Sequence, residues 1–167
     1  YKATLLPTSV VAEFHWQQYY KVISGANIIL SRLEGATMTS EEKLSIEAKA
    51  KLFRGLSYRN LALLYGGVPL ELEEVSSPKT DYVRASRVEV YEQAASDLSF
   101  AAVNLPGIAT VQDGEISNLA AYHILAEVYV SLEKWTDAID AASMVIDDPN
   151  TALMTERFGS LSNEPGD

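Results

Sequence analysis

Apolar residues recur three and four positions apart over long stretches of this chain and almost nowhere alternate. Between Ser9 and Leu33, the residues Trp16, Tyr19, Ile23, Ala26, Leu30 and Leu33 share one face of a helix, and Gly35 ends it. A second helix is predicted to start at Thr39, whose spacing to Glu42 is that of a capping box. It ends at Tyr65, because Gly66 and Gly67 free the backbone and Pro69 cannot continue a helix. Ser86 and Glu89 form another capping box and open a third helix. Its stripe is Tyr91, Ala94, Leu98, Ala101 and Leu105, and Pro106-Gly107 stops it. A fourth helix runs from Ser117 to Leu132. A fifth runs from Thr136 to Ile146, closed by the turn Asp148-Pro149-Asn150. Only Val68 to Leu72 hints at a strand. The pattern predicts an all-α fold of five helices, with a long connection between the second and third and a short one between the fourth and fifth.

The second and fourth helices carry the same octet. Tyr58-x-x-Leu61-Ala62-x-x-Tyr65 is repeated as Tyr122-x-x-Leu125-Ala126-x-x-Tyr129. The helix after each also agrees: Tyr91, Ala94, Leu98 and Ala101 match Trp135, Ala138, Ala142 and Val145 in spacing. A large residue, a leucine, a small residue and an aromatic on one face suit a helical hairpin, where the small residue lets the partner helix come close. Ala126 and Ala138 are thus expected to meet at a close crossing. This is the tetratricopeptide register, with Pro106 in the closing position after Ala101 and Pro149 one residue early after Val145. The first helix departs from it, since Tyr20 stands where the small residue belongs. It reads as a flanking helix of the same stack.

Composition narrows the possibilities. Hydrophobic residues make up 47 % and charged residues 22 %, the balance of an ordinary globular protein. The net charge of −10 argues against nucleic acid and against direct docking on anionic lipid. There is no cysteine, so disulfides and thiolate metal sites are excluded. No targeting signal is visible after Tyr1, and residues 155–167 read as a tail leading into a further C-terminal part. Residues 1–167 are therefore expected to be one helical scaffold belonging to a longer protein.

One stretch carries a family resemblance. Ala50-Lys51-Leu52-Phe53-Arg54-Gly55-Leu56-Ser57-Tyr58, continuing to Leu64-Tyr65-Gly66-Gly67-Val68-Pro69-Leu70, resembles the most characteristic segment of the SusD/RagB family. Trp16 to Asn27 resembles the family's first helix. Arg87 to Tyr91 with Asp97-Leu98 and Leu105-Pro106 resembles the next, and Ala120 to Trp135 with Ala138 the following hairpin. Gly55 stands where alanine is usual, a small-for-small change. The resemblance implies an outer-membrane lipoprotein at the cell surface of Bacteroidetes-type bacteria. Such a protein binds glycans over a TonB-dependent (SusC-like) transporter and hands oligosaccharides to it. It also implies that contact with the membrane runs only through a lipid anchor that this chain lacks, and that much of the ligand site lies in loops beyond this region.

No catalytic constellation or cofactor motif appears, so the protein is expected not to be an enzyme. His123 and Glu127 are spaced to share a metal, but no third ligand is evident and the pair reads as a surface pair on the fourth helix. Gly66-Gly67 is a helix stop, not a phosphate loop. Trp16, Tyr58, Tyr65, Tyr91, Tyr122, Tyr129 and Trp135 have core spacing rather than that of a sugar platform. Arg54 either pairs with an acid in the stack or snorkels. The insertion at 68–85 is the better place for function, with Asp81, Tyr82 and Arg84 as candidate ligand-binding residues, because long loops in compact domains are often functional. Its Glu71, Glu73 and Glu74 add acidic groups. The loop from Gly107 to Ser117, with Gln112 and Asp113, is a second candidate. A rival reading is a tetratricopeptide adaptor holding a peptide in its groove, although an adaptor would keep short, even turns.

Overall fold

The computed structural model describes residues 10–112 and 114–152. Five helices follow one another: α1 (Val10–Leu33), α2 (Ser40–Tyr65), α3 (Arg87–Asn104), α4 (Asn118–Ser131) and α5 (Trp135–Ile146). The fold is all-α, each helix lying within a residue or so of its predicted span. The proposed start at Ser9, Asp113 and the tail 155–167 lie outside the described residues.

Both capping boxes form. Thr39 Oγ1 accepts from the Glu42 N–H at 3.2 Å, and the Glu42 carboxylate accepts from the Thr39 N–H at 2.8 Å. Ser86 and Glu89 do the same at 3.2 and 2.7 Å. These bonds hold the carboxyls of Glu42 and Glu89 below the usual carboxylate range. Ser117 precedes α4 without a side-chain cap. The short α4–α5 turn closes through the Lys134 N–H to the Tyr129 carbonyl at 2.9 Å, with Glu133 in the left-handed region at φ 58°.

Helices pack in chain order, α1 on α2, α2 on α3, α3 on α4 and α4 on α5. The core lies along the stack and takes Tyr58, Leu61 and Ala62 from α2, Ala94, Leu98 and Ala101 from α3, and Ala121, Leu125 and Val128 from α4. Ala138 is buried on α5 and Ala126 is partly buried against the core. Gly55 is more than a neutral exchange for alanine. A Cβ there would lie 2.9 Å from Leu98 Cγ and 3.1 Å from the Ala94 carbonyl oxygen, so α2 and α3 approach more closely than alanine permits.

The repeat breaks down at its far end. Tyr91 is 2 % exposed, whereas Trp135, its counterpart in the register, is 59 % exposed and not a core residue. Among the described helices α5 touches only α4, so the face bearing Trp135 and Ile139 has no covering neighbour. The suggested strand from Val68 to Leu72 reduces to one antiparallel bridge, Pro69 with Arg84. The Ala85 N–H donates to the Val68 carbonyl there at 3.1 Å. Pro69 has no N–H to extend a ladder, and the main-chain groups of Glu71 are taken by the Tyr58 hydroxyl.

Candidate ligand-binding cleft

The segment 68–85 lies across α1 and α2, and buried polar side chains hold it there. The Tyr20 hydroxyl donates to the Pro69 carbonyl at 2.7 Å. The Tyr58 hydroxyl donates to the Glu71 carbonyl at 2.7 Å and accepts from the Glu71 N–H at 2.8 Å. The Asn27 amide donates to the carbonyls of Glu71 and Glu73 at 2.8 and 3.1 Å. Behind Asn27 stands Arg54, whose Nη1 donates to Asn27 Oδ1 at 2.8 Å and to the Leu72 carbonyl at 3.3 Å. Its Nε and Nη2 make a two-pronged pair with Asp97 at 2.7 and 2.8 Å. Arg54 is 6 % exposed and Asp97 2 %, so each ion meets its need for partners inside the protein. A polar chain thus runs from α3 through α2 and α1 to the backbone of the insertion. Of the two readings of Arg54, pairing within the stack is the one observed.

Further bonds fasten the segment at its edges. Ser31 and Arg32 at the end of α1 both hold the Glu74 carboxylate, which keeps its carboxyl below the usual range. Lys79 Nζ donates to both carboxylate oxygens of Glu71 at 2.9 and 3.0 Å, raising the lysine. Arg84 donates to the carbonyls of Gly67 and Tyr65, groups left open at the C-terminal end of α2.

Between α1 and this segment lies a cleft of about 500 Å³, within the range of small-ligand sites. From α1 it takes Trp16, Tyr20, Ile23, Ser24 and Asn27. Pro69, Glu71, Glu73, Val75 and Tyr82 line the other side. Trp16 stands edge-on to Tyr65, 5.1 Å between centroids, and leans on Tyr20 at 4.9 Å. Tyr82 is 50 % exposed, with the Lys79 ammonium 5.3 Å from its ring centre.

Burial pushes the hydroxyls of Tyr20 and Tyr58 to ionise well above the ordinary phenol range. At Tyr20 the nearby Tyr58, Glu71 and Tyr82 add to the effect, and at Tyr58 the bond from the Glu71 N–H and the charge of Arg54 partly offset it. The folded protein keeps these phenols neutral while the unfolded chain ionises them at about pH 10. Their contribution to stability is therefore complete below about pH 10 and lost as pH rises beyond it. In an alkaline titration, part of the tyrosinate absorbance should appear only with loss of the helical circular dichroism. Ionisation of all nine tyrosines at the ordinary value with the helices intact would contradict the half-buried placement of Tyr20 and the buried one of Tyr58.

The sequence candidates fare differently. Tyr82 lines the cleft. Asp81 is exposed on the outer part of the insertion and is not among the residues lining the cleft, and Arg84 is turned to the end of α2. Trp16, read as a core residue, also lines the cleft, and the one sequence signal for this was Tyr20 in a small-residue position. The Glu127 carboxylate accepts from Arg59 Nη2 at 2.8 Å, so it is paired with a cation rather than held with His123 alone. In the second candidate loop, the Gln112 carbonyl accepts from the Glu115 N–H at 3.0 Å in a local turn that lies away from the cleft.

The described residues thus form a stack of helical hairpins whose insertion builds an aromatic-walled cleft. Residues 6–130 match the SusD-like family model described as starch-binding and associating with the outer membrane, and the chain belongs to that family. It is 28 % identical over 83 % of its length to the SusD-like protein P25 of Formosa agariphila, covering 27 % of that relative. Among solved structures, it is similar to a laminarin-binding SusD-like protein (31 % identity, TM-score 0.73, 82 % of this chain and 30 % of that one). It is also similar to a protein solved with a xylogluco-oligosaccharide (25 % identity, TM-score 0.73, 84 % and 30 %). The chain spans less than a third of the length of these relatives.

Proposed function

We propose that this chain is the helical scaffold of a cell-surface glycan-binding subunit of a TonB-dependent uptake system. The subunit captures oligosaccharides and passes them to an outer-membrane transporter; it binds its ligand without transforming it. The observation that carries this reading is the cleft, in which Trp16, Tyr20 and Tyr82 offer ring faces and edges beside hydroxyl and carboxylate groups. Apolar sugar faces pack on aromatic rings while their hydroxyls need such hydrogen-bonding partners. The long insertion supports this over a peptide-holding adaptor, because it covers the flank of the stack and forms half of the cleft. Family membership and the laminarin-binding relative support it too. No helix among the described residues is long and apolar enough to cross a membrane, and attachment at the cell surface would run through a lipid anchor.

An open cleft with few direct hydrogen bonds should bind weakly, with a Kd on the order of 1 mM for this chain by itself. Trp135→Phe leaves Trp16 as the one indole and removes only an exposed side chain. Oligosaccharides titrated into that variant should change Trp16 fluorescence saturably, and Tyr82→Ala should weaken the response about tenfold. Saturable binding that neither changes Trp16 nor needs Tyr82 would place the site elsewhere.

A further inference from the structure

Resting on the glycan reading of the cleft, we propose that it takes uncharged sugar units and rejects uronic-acid and sulfated ones, with Glu73 setting the preference. Three observations meet here.

The first is the engagement of three cations around the cleft. Lys79 is held by both carboxylate oxygens of Glu71. Arg54 is buried and turned to Asp97 and Asn27. Arg84 donates to main-chain carbonyls at the end of α2. None of the residues lining the cleft is basic. A carboxylate or sulfate entering it would leave water without a cation to receive it.

The second is Glu73 itself. It lines the cleft, and its carboxylate has no cationic partner among the described residues. Its main chain is fixed by the bond from the Asn27 amide, so the side chain starts from an anchored position. A bound anion would share the cleft with this charge. Like charges about 4 Å apart in water repel by about 1 kcal/mol, which weakens binding by up to about tenfold at low ionic strength.

The third is hydrogen-bond polarity. Both amide hydrogens of Asn27 are used by the insertion backbone, and the Tyr20 proton goes to the Pro69 carbonyl. The lining residues Trp16, Ser24 and Tyr82 carry neutral donors, which suit sugar hydroxyls that both donate and accept. An anion would receive only neutral hydrogen bonds there, without a positive charge to balance it.

The test uses the full chain carrying Trp135→Phe, with Trp16 fluorescence as the readout. The probes are length-matched neutral glucan, oligogalacturonate and sulfated galactan oligosaccharides. Neutral oligomers should bind at least about tenfold more tightly than acidic ones at low salt, and the gap should narrow near ~1 M salt, where the screening length falls to about 3 Å. Glu73→Gln should raise the affinity for acidic oligomers several-fold relative to that for neutral ones, closing the gap. Acidic oligomers binding as tightly as neutral ones, or a gap unchanged by Glu73→Gln, would overturn the proposal while leaving glycan binding intact. No response of Trp16 to any oligomer would instead remove the glycan reading, and the specificity with it.

Discussion

Asp97→Ala should destabilise the fold by about 3–5 kcal/mol, the cost of leaving a buried ion without its counter-charge. Asp97 receives two hydrogen bonds from Arg54 in a site almost closed to water. Without it the guanidinium keeps its charge, since arginine does not deprotonate in proteins, and only Asn27 and the Leu72 carbonyl remain as acceptors. Urea unfolding should show a lower midpoint with the slope kept, the mark of lost stability rather than changed compactness. The double variant Asp97→Ala with Arg54→Met should recover part of the loss, because a buried pair can give way to apolar side chains at little net cost. It should not recover all of it, because Arg54 also braces Asn27 and the insertion. A loss below about 1 kcal/mol for Asp97→Ala would show that water reaches the pair and that it behaves as a surface ion pair.

Gly67→Ala should act more locally and strike the cleft. A Cβ at this position would lie 2.2 Å from the Ala85 carbonyl oxygen, 3.3 Å from the Ala85 carbonyl carbon and 3.4 Å from the Arg87 nitrogen. All three are main-chain atoms, which cannot rotate aside. Ala85 is tied to Val68 by its N–H, and Ser86, next in line, caps α3. The two ends of the insertion must therefore separate, breaking the Pro69–Arg84 bridge. Overpacking of this kind costs about 1–3 kcal/mol. Hydrogen exchange should show faster opening of residues 68–85, with α3 and α4 still protected, and Trp16 should lose its response to oligosaccharides. Protection of the insertion equal to that of the unaltered chain would mean that the backbone yields there at low cost.

These two expectations separate what was legible in the amino-acid sequence from what was not. Helices, their caps and their ends depend on residues within one or two turns of each other. The stripe from Tyr91 to Ala101, the Thr39–Glu42 and Ser86–Glu89 boxes and the Gly66-Gly67-Val68-Pro69 exit were thus readable directly. The repeated octet of Tyr58 and Tyr122 likewise marked the helices that face their neighbours, because small and large residues on one face already specify a hairpin. Tertiary structure alone decided the rest. Arg54 was visible as a charge on an apolar helix, but its partner Asp97 comes from a different helix and its support Asn27 from a third. Trp16 and Tyr82 share no local pattern; they meet across a cleft that exists only because the insertion lies over α1. Arg84 went to the carbonyls of α2 and Trp135 to the surface, although one looked like a ligand contact and the other like core. Local periodicity determines which face of a helix is apolar. What covers that face, and which polar groups are buried along with it, depends on how distant segments pack, and that information is spread over the whole chain.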